Sequence, residues 1–140
     1  MTKYQYYGLF IGECTKQYLI KTVKKNMFFK TFVPNMKDVK IYLDHITLMH
    51  VSNRDADLEF VFDANLGRLY RIIIDGIGFS DTAVAFKVRR EDTSIVECCM
   101  NNTPHITIAT YNNGKPVDSN NITNWFDIKP MMLTCRLEKR

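Results

Sequence analysis

The tripeptide His-Ile-Thr occurs twice in this chain, as His45-Ile46-Thr47 and His105-Ile106-Thr107, each time inside an apolar stretch. In a strand, side chains alternate between two faces. That alternation puts His45, Thr47 and Met49 on one side, with Ile46 and Leu48 on the other. The same parity groups His105, Thr107, Ala109 and Tyr111 opposite Ile106 and Ile108. Each segment must therefore bury an aliphatic face while presenting an imidazole and a hydroxyl on the reverse. A single such motif carries little weight, but two of the three histidines sit in one. His50, the third, falls on the aliphatic side by the same parity and reads as an edge or structural residue.

The rest of the chain supplies a setting for two such strands. Tyr4 to Ile11 is aromatic and β-branched enough for a strand ending near Gly12. Thr15 can cap a helix in which Leu19, Val23 and Met27 recur at i, i+4 and i+8. A short extended piece over 28–33 stops at Pro34. Strands follow at Leu43 to Val51, Leu58 to Phe62, Leu69 to Phe79, Thr82 to Val88, Thr103 to Tyr111 and Met131 to Leu137. Asp118 or Ser119 can cap one or two helical turns carrying Trp125. Many strands and few helices predict an α+β domain, residues 1–140, built on largely antiparallel sheet.

Composition narrows the partners. A chain of 140 residues that is 46% apolar has material for one real core. It contains no run of 18 apolar residues, and its first residues lack the layout of a signal peptide, so a soluble cytoplasmic protein is the expectation. The four cysteines form no C-x-x-C pair and read as reduced thiols, and no Cys/His spacing suggests zinc. A net charge of +4 suits an anionic ligand but not a long nucleic-acid duplex, which needs a dense basic stripe.

Paired histidines and hydroxyls fit one chemistry well. Breaking a phosphodiester needs a base to take a proton from the attacking oxygen and an acid to protonate the departing one. Two imidazoles can share those roles near neutrality. Threonine hydroxyls on the same face can donate to the non-bridging oxygens as charge shifts. The alternative is two satisfied sheet histidines left by an old duplication, with the threonines chosen for strand propensity; paired titratable groups together with hydroxyl donors weigh against it. The expectation is a metal-independent phosphodiesterase with His45 and His105 as acid/base pair, Thr47 and Thr107 on the phosphate, and no cofactor.

The sequence resembles the 2H phosphoesterase superfamily, the LigT-like enzymes with two H-x-T motifs. The likeness rests on both motifs, on the opening Tyr6-Tyr7-Gly8-Leu9-Phe10-Ile11, on Gly76-Ile77-Gly78-Phe79 before Val84-Ala85-Phe86-Lys87-Val88, and on Trp125-Phe126-Asp127-Ile128 leading into Met132-Leu133-Thr134-Cys135. It implies two pseudo-symmetric lobes of largely antiparallel sheet around a central groove, with few helices. It also implies phosphodiester substrates. These range from RNA 2′,3′-cyclic phosphates in end processing to 2′-5′ oligoadenylates and cyclic oligonucleotide signals degraded by viral and phage members in immune evasion. The short stretch from Arg89 to Asn101 departs from the family, whose members carry a substantial helix there, and suggests a compact viral or phage member. A small nucleotide or short oligonucleotide signal is the first expectation, RNA 2′,3′-cyclic ends the alternative, and a non-catalytic nucleotide- or RNA-binding module the rival from another class. Tyr111, Trp125 and Lys115 are candidate substrate contacts, the aromatics by stacking on a base. No membrane partner is expected, and the sequence leaves the oligomeric state open.

Overall fold

The computed structural model describes residues 5–31, 35, 37–91 and 93–140. Seven strands form one sheet: β1 (Tyr6–Ile11), β2 (Lys40–Ile41), β3 (His45–His50), β4 (Leu69–Phe79), β5 (Ala83–Val88), β6 (His105–Thr110) and β7 (Trp125–Lys139). The order is β2-β6-β3-β1-β7-β4-β5, and β5 also pairs with β6. Six strands, β6-β3-β1-β7-β4-β5, thus close into a ring in which every pairing is antiparallel.

This corrects the expected pair of pseudo-symmetric lobes. The sheet is a single closed barrel with few helices. The helices are α1 (Glu13–Lys24), α2 (Met27–Thr31), α3 (Ala56–Ala64) and α4 (Ser94–Glu97). Only α1 exceeds nine residues, which is too little helix to cover the edges of two open sheets. Closure satisfies those edges within the sheet itself.

The aliphatic faces of the strands share one core. Ile46 and Leu48 of β3, Ile106 and Ile108 of β6, Leu9 of β1 and Ile72 of β4 are all at most 1% exposed. Leu19 and Val23 of α1, Phe62 of α3 and Ile95 and Val96 of α4 belong to the same cluster. Burying each such side chain contributes about 1.5–3 kcal/mol. No helix among the described residues is long and apolar enough to cross a membrane.

Three local expectations change. Leu58 to Phe62 is helical, because the Asp55 carboxylate caps α3 at the Leu58 N–H (3.0 Å) and Leu58 and Phe62 share one stripe at i, i+4. Residues 27–31 are the helix α2 rather than an extended piece, and 32–34 lie outside the described residues. Trp125 opens the long strand β7, while the helical turns form earlier, as a 3-10 segment over Pro116–Asn121.

The link from β5 to β6 lacks a long helix, and Arg90 is one of the side chains that hold it. The Arg90 guanidinium donates to the carbonyls of Glu97 (3.1 Å), Cys99 (3.1 Å), Asn101 and Asn102 (3.1 Å). Bonds from a charged donor are the stronger kind, and these fix the path that delivers His105 to β6.

Close packing of β1 on β3 turns on Gly8. A Cβ there would lie 2.9 Å from the Ile46 carbonyl oxygen, 3.2 Å from Phe10 Cε1 and 3.4 Å from His45 Cδ2. The first contact is with backbone, so the strands would have to part. Gly8→Ala should destabilise the protein by about 1–3 kcal/mol, read by urea denaturation. A variant as stable as the parent would contradict this packing.

Candidate active site

Ile46 and Ile106 form the single ladder pair between β3 and β6. Both side chains are fully buried, so the residues flanking them, His45 and Thr47 on one strand and His105 and Thr107 on the other, face the opposite way. The strands run antiparallel, so the histidine of each motif lies towards the threonine end of the other. Ahead of β3 the chain stays alongside β6, through β2. The Tyr42 and Leu43 N–H groups bond to the Ile108 (2.8 Å) and Thr107 (3.0 Å) carbonyls, and the chain then kinks at Leu43, whose φ is +52°. A left-handed backbone is costly for a leucine and is held here by complete burial. A groove of about 620 Å³ is lined by all four residues.

Each histidine is held differently. The His45 ring stacks against both Tyr6 (centroids 4.8 Å apart, 20° interplanar) and Phe10 (4.9 Å, 25°), whose own centroids are 6.0 Å apart, beside Gly8. The Arg140 guanidinium lies over the Phe10 ring, 3.8 Å from its centroid. Burial pushes the His45 pKa down to about 4; the Arg140 and His105 charges act the same way, and Asp44 opposes them. Asp44 is itself engaged by Lys16 of α1 at 2.7 Å. His105 is 9% exposed, and its Nδ1 lies 2.8 Å from the Thr103 carbonyl. In the neutral ring Nδ1–H donates to that carbonyl, which leaves Nε2 as the acceptor. Burial also lowers the His105 pKa, with the Thr103 bond opposing. Thr107 Oγ1 is 3.0 Å from Ser119 Oγ, a buried hydroxyl delivered by the 3-10 segment. Among the described residues, no three His, Cys, Asp or Glu side chains gather as metal ligands.

The other expected contacts divide. Trp125 stands 6.4 Å from the His105 ring, packed over Gly78, and lines an adjoining hollow of about 470 Å³. Tyr111 does not face the groove: it is fully buried and its hydroxyl donates to the Ser80 (2.6 Å) and Ala83 (3.0 Å) carbonyls. No face of that ring is open to a base. Lys115 precedes the 3-10 segment, where its N–H bonds to Asp118 (3.0 Å), and it lies outside the groove lining.

The reason for the Tyr111 reversal applies to both motifs. On β6, Ala85 pairs with Thr107 but Val84 pairs with Ala109, so the register slips at Ile108. On β3, Gly8 pairs with Thr47 but Tyr7 with Met49, so it slips at Leu48. An extra residue in a ladder inverts the parity beyond it. Met49 therefore enters the core, and His50 emerges at the groove, opposite Tyr6. The expectation that His50 belongs to the aliphatic side is overturned by the same slip.

Several site residues escape a motif reading. Tyr6, Gly8 and Phe10 carry a signal, aromatic-glycine-aromatic on one strand face, that marks packing around a ring. Ser119 and Tyr42 carry none.

The comparisons bear on half of this site. Residues 62–130, which hold β4, β5, β6 and the second motif, match the family model of the fungal tRNA ligase phosphodiesterase domain. No curated protein matches the sequence. A solved structure described as a fungal RNA kinase shares the fold, with a TM-score of 0.58 at 17% identity, over 96% of this chain. This chain spans 46% of that one. Both matches are fungal proteins, and neither supports a viral or phage origin.

The buried histidines make stability depend on pH. His45 is lowered from 6.5 to about 4, so between those values the unfolded chain binds the proton and the folded one does not. Stability is therefore intact above pH 6.5 and falls as the pH drops towards 4, by up to roughly 3 kcal/mol. Urea denaturation at pH 7 and pH 4.5 should show a smaller acid loss for His45→Gln than for the parent; equal losses would contradict the cause.

Proposed function

We propose that this protein is a metal-independent phosphodiesterase that opens 2′,3′-cyclic phosphates at RNA ends. The observation that carries the proposal is the convergence of His45, Thr47, His105 and Thr107 on one groove about the Ile46–Ile106 pair. The match of residues 62–130 to a tRNA ligase phosphodiesterase domain favours RNA ends over the nucleotide signals expected first.

In this reading the phosphorus sits between the two imidazoles. One removes a proton from water as it attacks, the phosphorus–oxygen bond on the opposite side breaks, and the other imidazole protonates the departing ribose oxygen. A cyclic diester becomes a monoester and the imidazoles exchange protonation states. The Thr47 and Thr107 hydroxyls donate to the non-bridging oxygens, with Ser119 keeping Thr107 in place. Burial biases both histidines towards the neutral form. The bound phosphodiester anion supplies the opposite charge that favours protonating one of them. Trp125, beside His105, is the platform for a base.

His45→Ala and His105→Ala should each lower kcat on a nucleoside 2′,3′-cyclic phosphate by about 10²–10⁴-fold, followed by chromatography with EDTA present throughout. Activity lost to EDTA and restored by a divalent metal would refute the mechanism.

The pH profile of kcat/KM reports the free protein. The base must be neutral and the acid charged, and both pKa values lie below 6.5. A bell with its maximum between about 4 and 6.5 is expected, its limbs belonging to the pair. A rate that climbs steadily through pH 9 would exclude a two-histidine scheme.

A further inference from the structure

We infer that the arm of the groove over the end of β3 binds a second phosphate of the substrate, through His50, so that the preferred ligand extends at least one nucleotide beyond the reacting one. The inference rests on the phosphodiesterase reading above and specifies the rest of its substrate.

The register slip at Leu48 is the first reason, because it alone brings His50 to the groove, where it lies opposite Tyr6. The second is the state of the ring. His50 Nδ1 accepts the Ser52 N–H at 3.1 Å and lies 2.8 Å from Ser52 Oγ. A neutral ring bonded in this way carries its proton on Nε2. Nε2 has no partner among the described residues, so it is an oriented N–H donor at the groove wall.

The two motifs differ at this point. The position equivalent to His50, five residues after the histidine and beyond the same slip, is Thr110 in β6. Thr110 is 1% exposed, whereas His50 is exposed. The groove therefore continues past the quartet at the β3 end. Three residue steps separate Thr47 from His50, roughly 10 Å at the rise of a strand, which is further than one phosphate at the quartet reaches. A linked nucleotide covers it.

The charge of the arm fits the same ligand. Gln5, Ser52 and Asn53 line it with His50, and none of the four is a carboxylate. Asp44 is the one carboxylate among the described lining residues, and Lys16 neutralises it. An anion entering this arm meets donors and no unpaired negative charge.

The test compares two substrates, a nucleoside 2′,3′-cyclic phosphate and a dinucleotide ending in the same cyclic phosphate, with the parent, His50→Ala and His50→Gln. The ratio of kcat/KM, dinucleotide over mononucleotide, should fall about tenfold in His50→Ala, with the loss in KM. His50→Gln, which retains a neutral N–H donor, should recover part of it. An unchanged ratio, or a loss of kcat shared equally by both substrates, overturns the inference while leaving the phosphodiesterase reading intact. If the parent hydrolyses neither substrate, that reading fails. The arm is then judged by calorimetric binding of a 3′-phosphorylated dinucleotide: weaker binding to His50→Ala sustains it, and equal binding overturns it.

Discussion

Ile46 and Ile106 meet across the narrowest seam of the sheet, one ladder pair where the other joints of the ring have several. Both are sealed in the core, so the pair cannot slide without exposing aliphatic surface or dragging a polar neighbour inside. The same contact that closes the ring thereby sets the separation of the two imidazoles. A longer ladder would have joined the strands along their length and left no groove. Without any pairing, nothing would relate the two motifs. One ladder pair relates the motifs, and hydrogen bonds from Leu43 to the Thr107 carbonyl and from Met100 to the Leu48 carbonyl hold the chain on either side of it.

The electrostatic character of the groove follows from what surrounds that seam. Aromatic rings rather than carboxylates support His45, and a backbone carbonyl rather than a side chain orients His105. Neither histidine has a negative partner of the kind that would keep it charged in advance. Asp44 is the nearest candidate, and its bond to Lys16 shares its charge with another partner. Under the proposed function the charge that favours protonating one imidazole comes from the bound phosphate, and a net charge of +4 does not oppose an anionic ligand.

Much of this is legible in the residues themselves. The repeated motif marks both strands and the four side chains that meet in the groove, because burial of Ile46 and Ile106 is a local requirement of period two. Local reasoning stops at Thr47 and Thr107. Nothing in Leu48 or Ile108 announces an extra residue in a ladder, since the slip is a property of two strands and not of one. Period two alone puts Tyr111, Met49 and His50 on the wrong face for that reason. The closure of the barrel is equally hidden, because it depends on β5 reaching β6, a non-local pairing. Leu58 to Phe62 misleads in a different way: its residues suit a strand, but the Asp55 carboxylate caps their backbone and tips the balance to helix.

The Arg90 guanidinium grips backbone, not side chains, along the stretch that leads into the second motif. Those bonds do not depend on the side chains at 97, 99, 101 and 102, while Ile95, Val96 and Cys99 anchor the same stretch in the core. Met100 and Asn101 contribute side chains to the wall of the groove while their main chain is fixed from behind. The wall can consequently drift in sequence, and with it the fit to different ligands, without disturbing His105. Arg90 is the position that a lysine could not replace, since it could not reach four acceptors with one planar fork. A surface free to vary here depends on fixed anchors beneath it.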